Sequence, residues 1–221
     1  MAKHFSDFNT KSALDTVKRS ISKDPTRYFM ERAYVAPGKI DDESAPEYWT
    51  LAATDGHIMS VVELPDSMMR SLYVGDPREG YVDIDPKASR IIPNQQDAQF
   101  PQWRRVIPSM REGASLLPIP AMSDISEQVS VAVPLWSAYT GIALNYDLAS
   151  IIPRGGSWQA NAESSPKKAV QIDYQGQLWR MIVVIMPVWG DGAHSEGAEA
   201  HATVAVHRLA SEMATMHANK A

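Results

Sequence analysis

Apolar residues recur at three- and four-residue spacing near the start of the chain, at Leu14, Val17 and Ile21. Lys11, Asp15, Lys18 and Arg19 fall on the other faces, so 7–23 is predicted as an amphipathic helix. Pro25 ends it, because its ring pushes Asp24 out of the helical region. The run Arg27–Pro37 is rich in aromatic and aliphatic residues and predicts a strand, followed by an acidic loop over 38–47. Two apolar runs, Tyr48–Ala53 and Ile58–Leu64, flank Thr54-Asp55-Gly56-His57 and predict a hairpin, since Gly tolerates the positive φ of a tight turn. Tyr81–Ile84 predicts a short strand, and Pro86 after Asp85 predicts a short helix over Pro86–Ile92 that carries Lys87 and Arg90.

Prolines then become frequent, and 108–120 is the expected linker. Beyond it, Gln128–Val133 and Ile142–Leu144 predict strands, and Asn145–Ile152 a short helix stopped by Pro153. A second hairpin is predicted from Ala169–Tyr174 and Gln177–Trp189 about Gln175-Gly176, its second strand apolar almost throughout and so covered on both faces. Over 196–218 Ala202, Ala205, Leu209, Met213 and Met216 recur at helical spacing and predict an appended amphipathic helix.

Composition adds exclusions. With 221 residues, 44% hydrophobic and 21% charged, the chain has the make-up of a folded globular protein of one large or two small domains. The longest apolar stretch, Met181–Trp189, is too short to cross a membrane, and the first residues lack the apolar core of a secretion signal, so a cytoplasmic location is expected. There is no Cys, which excludes disulfides, thiolate metal sites and Cys nucleophiles. The net charge of −5 hides an asymmetry: residues 1–23 carry five basic side chains against two acidic, and 87–111 five against one. One basic face on an acidic body is what a polyanion would meet, although solvated charges also cluster by chance.

Catalytic templates are missing. The chain has no Gly-rich phosphate loop, no Gly-x-Ser-x-Gly elbow and no His-Glu-x-x-His. Four of its six histidines lie in the tail, where His201 and His207 are spaced wrongly for one helical face. Asp55 and His57 form an Asp-x-His pair, but the turn itself accounts for both better than a catalytic dyad. The expectation is a protein that is not an enzyme and uses no cofactor or metal.

Several segments, taken together, carry a resemblance. Thr54-Asp55-Gly56-His57, Phe100-Pro101-Gln102-Trp103-Arg104-Arg105-Val106-Ile107-Pro108 and Val183-Val184-Ile185-Met186-Pro187 resemble, in order, motifs of the bacterial DNA polymerase III β sliding clamp family. Arg27-Tyr28-Phe29 and Ile142-Ala143-Leu144-Asn145 add weaker matches. The resemblance covers about 8–190 and implies an α+β fold of two clamp-type domains, with antiparallel sheets outside and short helices inside. The expected units are a domain at 1–110 similar to the family's middle domain, a shortened one at 111–190 similar to its last, and a helical extension at 191–221. The family's first domain has no counterpart. Six similar domains make a clamp ring, so two per chain imply a homotrimer, as in phage and eukaryotic clamps.

The function implied is a polymerase processivity factor that encircles duplex DNA without reading its sequence. Its partners would be double-stranded DNA, a DNA polymerase and other proteins carrying clamp-binding peptides, with a clamp loader as a further partner the resemblance admits. Few phosphate contacts suffice for such a ring, and Lys11, Lys18, Arg19, Lys87 and Arg90 are the candidate contacts. Arg104 and Arg105 are read equally well as members of structural ion pairs. The peptide pocket implied by position uses Met30, Thr54, Gly56, His57, Met59 and Pro108, then Asn145, Leu148, Val184, Met186, Pro187 and Val188. Ile58 stands where the family has Arg, and Leu148 where it has an aromatic, so partner preference differs from the family's. Ordinary interdomain packing is the competing reading of these residues. The alternative function is a clamp-fold binding or regulatory module that does not encircle DNA.

Overall fold

The computed structural model describes residues 10–108, 115–117, 133, 144–153, 156–160, 169–176 and 179–186, with backbone only at 115–117 and 157–160. Its frame is a nine-stranded sheet. The strands are β1 (Ala33–Pro37), β2 (Tyr48–Thr54), β3 (Ile58–Pro65), β4 (Gly80–Asp85), β5 (Arg90–Pro93), β6 (Ser115–Leu117), β7 (Ser157–Ala160), β8 (Val170–Gln175) and β9 (Arg180–Ile185). They lie in the order β5-β4-β1-β2-β3-β9-β8-β7-β6, and every ladder is antiparallel. The β3–β9 ladder, from Ile58↔Ile185 to Glu63↔Arg180, makes one sheet of the early and late halves of the chain.

Alternation along each strand sorts side chains to two faces. In β3, Ile58, Val62 and Leu64 join one apolar cluster while Met59 and Val61 join another. The first cluster is roofed by helices: α1 (Thr10–Arg19) supplies Ala13, Leu14 and Val17, α2 (Asp66–Leu72) supplies Met69 and Leu72, and α3 (Tyr146–Ala149) supplies Ala149. A buried hydroxyl pair, Ser20 Oγ to Ser60 Oγ at 2.7 Å, fixes the chain leaving α1 against β3. The opposite face has no described α-helix, only the 3-10 turn Trp103–Arg105. It is covered by Ile40 and by Phe100 and Trp103, and the Phe100 ring stacks on Tyr34 with centroids 5.1 Å apart. The α+β class with antiparallel strands and short helices is therefore as the sequence implied.

The elements depart from expectation at particular places. The helix expected over 7–23 is shorter, Thr10–Arg19 within the described residues. Only Ala33–Pro37 of the strand expected at Arg27–Pro37 is extended, because Asp24 caps a 3-10 turn over Pro25–Met30. The helix expected at Pro86–Ile92 does not form. Asp85 accepts the amides of Lys87 and Ala88 as an N-cap would, but Ser89 turns left-handed (φ 51°) and the chain returns as β5, pairing Arg90 with Asp85. The expected linker holds β6, and β7 and α2 lie where no element was expected. Val133, expected at the end of a strand, is helical and buried, and the rest of Gln128–Val133 lies outside the described residues. Of the strand expected at Gln177–Trp189, Arg180–Ile185 is extended, and 177–178 and 187–189 lie outside the described residues. The tail helix and its histidines lie outside the described residues.

Candidate functional site

The Thr54-Asp55-Gly56-His57 turn is held from several sides. Thr54 Oγ1 donates to the carbonyl of Ile58 at 2.8 Å and accepts from the amide of Gly56 at 3.0 Å. Asp55 Oδ1 accepts from the amides of His57 and Ile58, at 2.7 and 2.8 Å. Gly56 has φ +91°, a conformation that favours glycine, and a Cβ there would lie 2.7 Å from Arg27 Nη1, so the guanidinium would have to shift. The Arg27 guanidinium donates to the Asp55 carbonyl beneath. Asp55 thus serves the backbone of the turn, and the His57 side chain is exposed.

β9 ends beside this turn. The amide of Met186 donates to the carbonyl of His57 at 2.8 Å, and Met59 registers opposite Val184 on the adjoining strand. Thr54, Gly56, His57, Met59, Val184 and Met186 are therefore brought together. Met59 and Val184 are buried in the face opposite α1, whereas Met186 is 37% exposed, so Met186 and His57 form the accessible part. Met30 ends the 3-10 turn that carries Arg27, and is half-buried. Asn145 caps α3, accepting from the amides of Asp147 and Leu148, and Leu148 packs with the helix-face cluster, across the sheet from Met59 and Val184. Pro187 and Val188 lie outside the described residues.

A recess of about 400 Å³ opens on the face opposite α1, between β9 and Ile107-Pro108. Ile107, Pro108 and Ile182 form apolar walls, and Asp41, Arg104, Gln171 and Arg180 supply polar groups. Arg180 bonds Asp41 at 2.6 Å and Asp173 at 3.3 Å. Burial works against its charge, but these two carboxylates outweigh it and hold the guanidinium above its ordinary pKa. Arg104 is tied to the fold: Nη2 donates to the carbonyls of Pro37 and Lys39, and its guanidinium lies 4.2 Å over the Trp103 ring. Burial lowers its pKa against the pull of Glu43 and Glu79. Its role is thus an ion pair with Glu43, the structural reading that the sequence left open, while Arg105 is exposed. The sequence offered no signal for Gln171 or Arg180, and Arg27 entered only through the weak Arg27-Tyr28-Phe29 match, because strand register and turn packing bring them to these places.

Of the expected DNA contacts, Lys11, Lys18 and Arg19 are exposed on the side of α1 away from the sheet. Lys87 and Arg90 are also exposed, but on the β4–β5 turn and β5 rather than on a helix. Ile91 points to the helix-face cluster, so strand alternation turns Arg90 to the opposite face from α1. Among the described residues, no group of three or more His, Asp or Glu is placed to hold a metal, and no helix is long and apolar enough to cross a membrane.

The structure is similar to DNA polymerase III subunit β from Borrelia burgdorferi, with a TM-score of 0.51 and 12% identity over 87% of this chain and 66% of that one. The chain has the sliding-clamp fold. Looser likenesses within that fold are the DNA polymerase sliding clamp from Pseudomonas aeruginosa (TM-score 0.49, 11% identity, 82% of this chain and 64% of that one) and the C. crescentus β sliding clamp (0.46, 16%, 86% and 67%). The chain thus spans just under two thirds of the Borrelia and Pseudomonas clamps. No protein-family model and no curated protein sequence matches it. As a clamp fold, it has helices on one sheet face and a strand ladder joining its two halves.

Proposed function

We propose that this protein is a DNA sliding clamp, a polymerase processivity factor that encircles duplex DNA as a homotrimer. The observation that carries this reading is the placement of α1, α2 and α3 on one sheet face, with Lys11, Lys18 and Arg19 exposed on the far side of α1. A ring closed with that face inward presents cations to phosphates, which attract them through counterion release without reading bases. No covalent step is needed, since enclosure itself keeps the protein on DNA. The units proposed at 1–110 and 111–190 then supply two of six ring segments, and the antiparallel sheet runs on between them through β3 and β9.

The polymerase docks, in this reading, on the surface around His57 and Met186, with Met30 and Pro108 at its margins and Met59 and Val184 as its packed support, while Leu148 lies on the other sheet face and outside it. Exposed Met is a flexible, polarisable contact suited to short apolar peptides. The test is mass together with topology. Sedimentation should give a particle near three times 24.4 kDa, and the protein should stay on circular DNA but slide off the same DNA once linearised. A monomer that leaves both at the same rate defeats the proposal.

A further inference from the structure

Strand alternation sorts β9 into two rows. Met181, Val183 and Ile185 join the helix-face cluster, and Ile182 and Val184 the cluster on the opposite face. Met186 continues the ladder by donating to the His57 carbonyl at 2.8 Å, so it follows Val184 on that opposite face. An apolar row therefore runs along β9, buried at Ile182, where it walls the recess beside Ile107 and Pro108, and at Val184, and surfacing at Met186. Val106, next to Ile107, is exposed as well. The other large apolar side chains exposed among the described residues are Tyr28, on the 3-10 turn that Arg27 ties to Asp55, and Val74 and Ile92. These last two lie at the β5 edge, five strand spacings or about 24 Å from β9.

The chain leaves the described part of β9 at Met186, on this same surface, and continues into residues 187–221. The apolar stripe of the helix expected over 196–218, Ala202, Ala205, Leu209, Met213 and Met216, needs a partner, because a helix of that length gains most of its stability from packing such a face. Residues 187–195, which include Gly190 and Gly192, span about 30 Å at full stretch. The surface around Met186 lies at the start of that tether, whereas the β5 edge would use up most of it. We propose that in the free protein this chain's own segment 196–218 lays its stripe on Met186, Val106 and the recess wall at Ile107, covering the docking surface until a partner peptide displaces it. The displacement rests on the docking surface proposed above; the contact does not.

The chain has no Cys, so Ser211→Cys, on the side of the expected helix away from its stripe, gives a single attachment point for a nitroxide on the full-length protein. The label should broaden the Met186 ε-methyl resonance strongly and the Ile92 δ1 methyl little, and adding Leu209→Asp with Met213→Asp should restore a sharp Met186 signal. With a fluorescein-labelled synthetic peptide of 196–218 as probe, the Leu209→Asp, Met213→Asp protein should bind about tenfold tighter than the unsubstituted one, whose surface is already covered. A sharp Met186 signal in the labelled protein, equal broadening at Ile92, broadening of Met186 in an unlabelled chain mixed with labelled ones, or equal peptide affinity in the two proteins each overturns the proposal. The broadening needs only Ser211→Cys and no partner, so it decides the contact even if the double variant does not fold. Met186→Ala that spares the affinity of a polymerase peptide would remove the docking surface while the broadening still reports the contact, so the two failures are read separately.

Discussion

Arg19 donates from Nη2 to the carbonyl oxygen of Ser150, 3.1 Å away, joining the last turn of α1 to the C-cap of α3. The bond spends part of the guanidinium on the fold and ties the two halves on their helix face. Lys18, its neighbour, is exposed and has no ion pair among the described residues. Lys18→Glu should thus weaken DNA retention at low salt and lower the salt slope by about one, with stability unchanged within ~0.5 kcal/mol. Arg19→Glu should do both, weakening retention and destabilising the fold by about 1 kcal/mol. Salt titration of DNA binding with parallel melting curves checks this. If the two variants behave alike in both assays, the division of labour is wrong.

The Ser20–Ser60 hydroxyl pair predicts non-additive losses for single and double changes. Ser20 Oγ also lies 3.0 Å from the Thr16 carbonyl, so Ser20 keeps a partner when Ser60 is lost. Ser60→Ala should cost about 1 kcal/mol, and Ser20→Ala more, because it strands the Ser60 hydroxyl in a fully buried site. The double variant should be no worse than Ser20→Ala alone. Urea denaturation of all three checks this, and strictly additive losses would count against the shared bond.

Much of this fold was legible because its clearest signals are local. Asp-Gly between two apolar runs specified the β2–β3 hairpin, and Phe100 and Trp103, which cover the opposite face, entered only as members of a motif. The β4–β5 turn was misread because Asp85 makes the same side-chain bonds at a helix start and at a tight turn. The decision lay with the left-handed Ser89 and with a partner strand the local sequence does not name. α2 went unseen in a window too short for its period to register, though Asp66 and Arg70 at i and i+4 were available as a hint. At the candidate site, His57 and Met186 were found through motifs, whereas Gln171 and Arg180 meet Arg104 only through β8–β9 register and loop packing.

Exposure separates two residues that motif matching treated alike. Met186 is 37% exposed and Val184 is 1% exposed on the same strand end. Met186→Ala should therefore reduce affinity for a polymerase-tail peptide about tenfold while leaving the melting temperature nearly unchanged, a loss of about 1.4 kcal/mol in binding. Val184→Ala should destabilise the fold by about 2 kcal/mol through lost burial and the cavity left behind. Isothermal titration beside thermal melts checks both. Unchanged peptide affinity in Met186→Ala would remove Met186 from the docking surface.

Asp66 links a helix start to a strand and makes stability sensitive to acid. Its Oδ1 accepts from the Trp49 indole at 2.9 Å and its Oδ2 from Arg70 Nε at 2.7 Å. The Trp49 hydrogen bond, then Arg70, hold its pKa below the ordinary 3.8. A carboxyl that is more acidic folded than unfolded contributes stability above its unfolded pKa, and the contribution fades as pH falls through the folded value. Asp66→Asn keeps an acceptor for Trp49 but not the charge, so it should melt lower than the native protein at neutral pH. The gap should begin to narrow as pH drops below about 4, where the unfolded chain's carboxyl takes up its proton, and close once the folded carboxyl follows at lower pH. Trp49 fluorescence during thermal melts reports the transition directly, because the indole donates to the titrating group. A gap that stays constant through the acid range would mean that the shape of the side chain, and not its ionisation, supports the start of α2.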